Sequence, residues 1–179
     1  MIRIIGGQFR GRKIPVPPTA RPTPDRVRET LFNWLSASVE GARCLDLFAG
    51  SGALGLEALS RGARWVTFCD KTRAVALHLQ AQTERLSIVD VCDISCGDAE
   101  RFLKIPVTEP YDIVFCDPPF RQDWGPKLLA LLPAHMASQG LLYLETEADT
   151  LLDIPPDWVV LKEKTAGQVR YQLLMRQAL

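Results

Sequence analysis

Cys44-Leu-Asp46-Leu-Phe48-Ala-Gly50-Ser-Gly52-Ala-Leu-Gly55 decides the fold. It opens as a short apolar run, Cys44–Phe48, with the length of a buried strand. It closes in small and apolar residues that carry a helix, Leu54–Arg61, ended by Gly62 as a cap. Between the two lies Gly-x-Gly-x-x-Gly, a weak signal alone but meaningful with a strand before it and a helix after it. Gly50 permits a tight turn, Gly52 lets a ligand press against the backbone, and Gly55 lets the helix approach the sheet.

Outward from this unit the pattern repeats. Strands are predicted at Trp65–Cys69, Val91–Ser95, Tyr111–Cys116 and Leu141–Glu145. Helices are predicted at Lys71–Arg85, with Ala76, Leu79, Thr83 and Leu86 inward, at Ala99–Leu103, and near Lys127–Leu132. Such alternation predicts an α/β, Rossmann-like fold: a mostly parallel sheet with helices on both faces and right-handed crossovers. Val159–Lys164 and Arg170–Met175 alternate with period two around Thr165-Ala-Gly-Gln, so an antiparallel hairpin completes seven strands. Upstream, Arg3–Ile5 and Lys13–Val16 read as a small β-hairpin, followed by a Pro-rich linker, Pro15 to Pro24. Thr23-Pro24-Asp25 opens a helix, with Thr23 as cap and Pro24 in the first position. Its apolar face is Val27, Leu31 and Leu35, leaving Arg26 and Arg28 to show cations. Residues 1–22 are thus expected to be a basic extension and 23–179 the α/β domain.

The 179 residues suit one domain, and 47% hydrophobic with 23% charged is ordinary for a globular protein. No apolar run approaches the ~20 residues of a membrane span. Met1-Ile-Arg-Ile-Ile-Gly-Gly is too short for a signal peptide, so a cytoplasmic protein is expected. Cys44, Cys69, Cys92, Cys96 and Cys116 form no Cys-x-x-Cys pair, and His78 and His135 have no ligand partner at metal spacing. Neither a disulfide nor a metal site is expected. Net charge is zero, yet residues 1–30 hold seven basic residues against Asp25 and Glu29. A basic end on an acidic body points to a polyanion met at one place, although a solvated tail would look the same.

Asp70 ends the second strand twenty residues after Gly50, where an acid can bind both hydroxyls of a ribose. Lys71 stands beside it, and Phe48 flanks the glycine turn. Asp46 would repel a pyrophosphate but suits a sulfonium or amino group, which argues against a nicotinamide. After the third strand, Gly97-Asp98-Ala99 can close over an adenine, Asp98 accepting from its amino group and the Ala99 N–H donating to the ring. Asp98 alone reads equally well as a helix cap. Together these positions fit S-adenosyl-L-methionine.

Asp117-Pro118-Pro119-Phe120 leaves the strand Tyr111–Cys116. Neither proline can donate a backbone hydrogen bond, each fixes its own φ, and Pro119 pushes Pro118 out of the helical region. A stiff turn with a carboxylate, free carbonyls and one ring suits the exocyclic amino group of a nucleobase. The Asp117 carboxylate and the Pro118 carbonyl would accept its two N–H bonds, and Phe120 would stack on the base, worth ~1–3 kcal/mol. A plain strand exit stopped by two prolines is the alternative. Asp117 is expected across the crevice from Gly50 and Gly52.

In order, Asp46–Gly52, Asp70, Gly97-Asp98-Ala99 and Asp117–Phe120 resemble the motifs of class I S-adenosylmethionine-dependent amino-methyltransferases. Arg3-Ile-Ile-Gly-Gly-x-Phe-Arg-Gly-Arg-Lys13 and Arg21-Pro-Thr-x-Asp-Arg-Val-Arg-Glu29 resemble the RsmD family of small-subunit ribosomal RNA guanine-N2 methyltransferases. The resemblance is weakest across residues 146–168, and Phe120 departs from the tyrosine frequent at its position. It implies methylation of one guanine of 16S rRNA in the small ribosomal subunit; a monomer is expected. Arg10, Arg12, Lys13, Arg21 and Arg26 would then hold RNA phosphates. Three rival readings remain open on the residues. An adenine-N6 methyltransferase of DNA or RNA uses the same grip. A non-catalytic RNA-binding module would keep the fold, and a nicotinamide dehydrogenase would share the glycine turn.

Overall fold

The computed structural model describes residues 1–178. A two-stranded hairpin, β1 (Ile2–Arg3) and β2 (Lys13–Ile14), precedes α1 (Asp25–Trp34). Then follow β3 (Arg43–Asp46), α2 (Ala53–Ser60), β4 (Trp65–Asp70), α3 (Arg73–Arg85), β5 (Cys92–Cys96), α4 (Ala99–Leu103) and β6 (Tyr111–Cys116). The chain ends in α5 (Trp124–Leu131), β7 (Met136–Glu147), β8 (Trp158–Ala166) and β9 (Val169–Arg176). The seven-stranded sheet has the order β5-β4-β3-β6-β7-β9-β8. Its first five strands run parallel, and β9 pairs antiparallel with both β7 and β8. The sequence expectation of a doubly wound sheet closed by a hairpin is met.

Alternating side chains on the strands feed two cores. Cys44, Ile113, Phe115 and Tyr143 pack with α1, α2 and α3 on one face. Leu45, Val114, Cys116, Leu142 and Leu144 pack with α4 and α5 on the other. Buried on both sides, the central strands read as continuous apolar runs, which is what made them legible. Burial pushes the Cys69 thiol up to about 12, with the nearby Asp70 carboxylate adding to it, so this thiol serves as a small apolar filler. Strand order reverses between β3 and β6, and a crevice opens there at the carboxyl ends of the strands. Among the described residues no helix is long and apolar enough to cross a membrane.

Several local expectations are corrected. Pro24, not Thr23, occupies the N-cap of α1 and makes no side-chain cap; Thr23 is buried and its carbonyl accepts from Arg28 Nε at 3.2 Å. Arg28 shows no cation to solvent, being wholly buried. On α3 the inward residue of the first turn is Val75, with Ala76 half-buried. β7 starts five residues before Leu141, with a register shift against β6 between Tyr111 and Ile113.

Arg28 is buried because Glu57 is buried with it. Glu57 Oε1 accepts from Arg28 Nη1 at 3.2 Å and from the Ile5 amide at 2.8 Å. Its Oε2 accepts from the Gly6 amide at 3.0 Å and from Arg61 Nε at 3.0 Å. Arg28 also donates to the Arg3 carbonyl at 3.0 Å and pairs with Asp25. Ser60 Oγ accepts from the Phe9 amide at 2.9 Å and donates to the Gly6 carbonyl at 2.6 Å. Gly7 passes so close to α2 that a Cβ would stand 1.9 Å from the Ser60 oxygen. The N-terminal hairpin is therefore bolted to α2, and the basic residues on it are presented from a fixed platform. Removing one partner of a buried ion pair strands the other, at about 3–5 kcal/mol. Glu57→Ala is expected to lower the unfolding free energy by that order, seen as a lower denaturation midpoint, and to speed hydrogen exchange at the Ile5 and Gly6 amides.

Candidate active site

A cavity of about 650 Å³ lies at the carboxyl ends of β3, β4, β6 and β7. Strand register sets the depth of each carboxyl group on it. Asp46 pairs in level with Phe68 and with Phe115, so Asp70 and Asp117 each stand two residues nearer the rim on the same face. Cys116 pairs with Leu144, so Asp117 and Glu145 stand level on neighbouring strands. All four line the cavity.

The glycine turn is built around these acids. Gly50, at φ 54°, donates its amide to Asp70 Oδ2 at 3.1 Å, while Asp70 Oδ1 accepts from the Thr72 amide at 2.9 Å. Asp70 thus ties the turn to the start of α3. Asp46 Oδ2 accepts from the Gly55 amide in the first turn of α2 at 3.0 Å. Burial pushes the Asp46 carboxyl up from 3.8 to about 7, the Gly55 amide opposing and the charge of Asp70 adding to the rise. Asp117 is also held well above the usual carboxylate range, first by burial, then by its hydrogen bond to Glu145 and by the charges of Glu145 and Asp46. Tyr143 donates its phenol O–H to Glu145 Oε1 at 2.8 Å. Burial first, and then Glu145, keeps that phenol protonated.

Most of the residues singled out in the sequence meet in this one cavity. Asp46, Phe48, Gly50, Asp70, Lys71, Asp98, Ala99, Asp117, Pro118, Pro119 and Phe120 all line it. Gly52 does not: at φ 83° it begins α2, and a Cβ there would meet Leu79 Cδ2 at 2.5 Å, so it is a packing position. Asp98 caps α4, its Oδ2 accepting from the Arg101 amide at 3.2 Å, and it reaches the cavity wall as well. Phe120 sits on the rim, 47% exposed, with a face free to be covered. After it, Arg121 and Asp123 hold positive φ angles of 63° and 53°, a costly backbone for non-glycine residues, and the Arg121 amide donates to Glu147 Oε1.

The five basic residues divide. Arg21 lines the cavity, whereas Arg10, Arg12, Lys13 and Arg26 are exposed outside it. The Pro-rich linker is more than a connection, because Thr19 to Pro24 form one wall of the cavity and Ala20 lies opposite Gly50. Sequence reasoning passed over this wall, and over Trp124, whose ring meets Phe48 edge to face at 5.1 Å. It also passed over Glu145. The signal for Glu145 was there: like Asp46, Asp70 and Asp117, it is an acid at or near the carboxyl end of an apolar strand.

The cavity gathers carboxyl groups with few cations, so it suits a ligand that brings positive charge and N–H donors. Before such a ligand arrives, Asp46 is costly. Its folded carboxyl is raised, so between about pH 4 and about pH 7 the folded chain holds more protons than the unfolded one, and stability falls as pH rises through that window. Asp46→Asn removes the loss. Its gain in thermal midpoint over the unmutated protein is expected to be larger at about pH 8 than at about pH 4.

A family model described as conserved hypothetical protein 95 matches residues 2–175. The Escherichia coli K12 protein named ribosomal RNA small subunit methyltransferase D is 48% identical, over 99% of this chain and 91% of its own length. The Haemophilus influenzae protein of the same name is 44% identical, over 96% and 92%. The solved structure of the Escherichia coli protein yhhF superposes with a TM-score of 0.91 at 47% identity, covering 99% of both chains. On this agreement in sequence and fold, the chain belongs to the conserved hypothetical protein 95 family, that of the ribosomal RNA small subunit methyltransferase D proteins.

Proposed function

We propose that this protein transfers a methyl group from S-adenosyl-L-methionine to the exocyclic N2 of a specific guanine in 16S rRNA, presented by the small ribosomal subunit. The supporting observation is that the Asp117–Phe120 corner and the Gly50 turn face one cavity across the strand-order switch. Relatives named ribosomal RNA methyltransferases favour RNA over DNA as the acceptor. S-adenosyl-L-methionine would supply an electrophilic methyl group on a sulfonium. Asp70 would hold its ribose hydroxyls with Lys71 alongside, Asp98 and the Ala99 amide its adenine, and Asp46 its positive end. Phe48 and Gly50 would form the floor.

The target base must leave its stack to reach the cavity, at a few kcal/mol. The Asp117 carboxylate and the Pro118 carbonyl would then accept the two N2–H bonds and aim the lone pair, with Phe120 stacked on the base. The N2–carbon bond would form as the sulfur–carbon bond breaks, S-adenosylhomocysteine would leave, and the proton lost from N2 would pass to the Asp117 carboxylate that accepts it or to solvent. Holding the two reactants in contact is worth up to ~7–11 kcal/mol. Pro118 and Pro119 contribute by stiffness, since a corner that does not move needs no reorganisation. Residues 1–22 would be the RNA-contacting extension, with Arg10, Arg12, Lys13, Arg21 and Arg26 on flanking phosphates. The enzyme would work as a monomer in the cytoplasm.

The decisive experiment supplies a labelled methyl donor with naked DNA, naked ribosomal RNA and small subunits lacking the modification. Transfer to a guanine of the small-subunit RNA is expected; label on adenine, or none on RNA, overturns the reading. Asp117→Ala is expected to lower the transfer rate by ~100- to 1000-fold or more while the cofactor still binds. Arg10→Ala with Arg12→Ala is expected to weaken RNA binding and to flatten its salt dependence by roughly 0.7 per lost phosphate contact, leaving cofactor affinity unchanged.

A further inference from the structure

Glu145 has no part in the grip just described, yet it is a buried acid, 6% exposed, on the wall of the same cavity. Two observations fix its place. It stands level with Asp117 on the adjacent strand. Its Oε1 is anchored by the Tyr143 phenol at 2.8 Å. Two carboxyl groups therefore stand side by side at the same depth, one of them oriented from behind.

On the Watson–Crick edge of guanine, N2 and N1 are neighbours, and both carry hydrogen. On adenine the amino nitrogen neighbours an N1 that bears a lone pair. A carboxyl oxygen that presents a lone pair beside Asp117 matches the guanine edge and meets the adenine edge lone pair against lone pair. We infer that Glu145 is the residue that selects guanine, accepting the N1–H while Asp117 and Pro118 hold N2. This rests on the guanine-N2 reading above. The two carboxyl groups, level on neighbouring strands, would each take one donor of the base edge.

Sites built to bind a substrate N–H reject an analogue lacking it by as much as ~10⁴-fold. The test first maps the accepted guanine on small subunits by labelled methyl transfer. It then compares particles reconstituted with guanine or with 2-aminopurine at that position. 2-Aminopurine keeps the amino group at position 2 and carries an unprotonated N1. The unmutated enzyme is expected to favour guanine by at least ~100-fold in kcat/KM. In Glu145→Gln, the Tyr143 phenol occupies the amide oxygen and leaves the NH₂ towards the base. That variant is expected to lose guanine transfer and gain on the analogue, bringing the two within ~10-fold, with affinity for S-adenosylhomocysteine unchanged. A merely structural role would slow both substrates alike, so an unchanged ratio in Glu145→Gln overturns the inference while leaving guanine methylation standing. If Glu145→Gln does not fold, the ratio for the unmutated enzyme decides: a value near one also overturns it. Mapping that finds no methylated guanine removes the guanine-N2 reading and this inference together.

Discussion

Like charges brought together without water are the constraint on which this architecture turns. Four parallel strands carry Asp70, Asp46, Asp117 and Glu145 at or near their carboxyl ends, and all four line one cavity. Four ionised carboxylates could not share that space. The structure resolves the conflict by holding the pKa values of Asp46 and Asp117 high and by giving the others donors: the Gly50 and Thr72 amides for Asp70, the Tyr143 phenol for Glu145. The site is thus a set of acceptors, two of them held towards protonation by burial. Under the proposed function, a positively charged donor and a base edge rich in N–H groups would supply the partners these acceptors suit.

The second constraint is mechanical. A basic arm that swung freely would bring RNA near the enzyme without aiming any base. Here Glu57 accepts from Ile5, Gly6, Arg28 and Arg61, and Ser60 takes up Gln8 and Phe9, so the hairpin keeps one attitude towards α2. The helix that carries this anchor also donates its Gly55 amide to Asp46. One short helix therefore serves both ends of the molecule. The linker from hairpin to α1 then passes over the cavity as its wall, with Arg21 at the junction between the exposed cations and the site.

Much of this was legible in the residues, for a definite reason. Strands buried on both faces are long apolar runs, so Tyr111–Cys116 and the short helix at Ala99–Leu103 matched the structure at both ends. Motif residues were legible because strand ends followed by glycine or proline have few local explanations. The failures are all tertiary. Arg28 looked like a surface cation because its partner, Glu57, lies 29 residues away, and nothing local marks a buried ion pair. Gly52 looked like a ligand contact, and only the approach of Leu79 from α3 shows why a side chain is not tolerated there. Glu145 is marked in the sequence as an acid near the end of an apolar strand, but its place beside Asp117 is set by register, a property of two strands and not of either one.

Under the proposed function, register is what would let this fold choose between nearly identical bases. Neighbouring parallel strands are spaced ~4.8 Å apart, and equal levels put equal side-chain positions side by side at that spacing. Loops do not give that accuracy, since each brings its own backbone freedom. In this protein the loop residues at the site, Pro118, Pro119 and Phe120, are stiffened or confined to the rim, whereas the groups proposed to read hydrogens, Asp117 and Glu145, are held level by neighbouring strands. A shift of one residue between β6 and β7 would turn Glu145 into the opposite core and put Leu144 in its place. The bulge between Tyr111 and Ile113 takes up the mismatch of the two strands at the far end. Beyond it the pairing runs unbroken to Cys116 and Leu144, and the irregularity is kept away from the end where level matters.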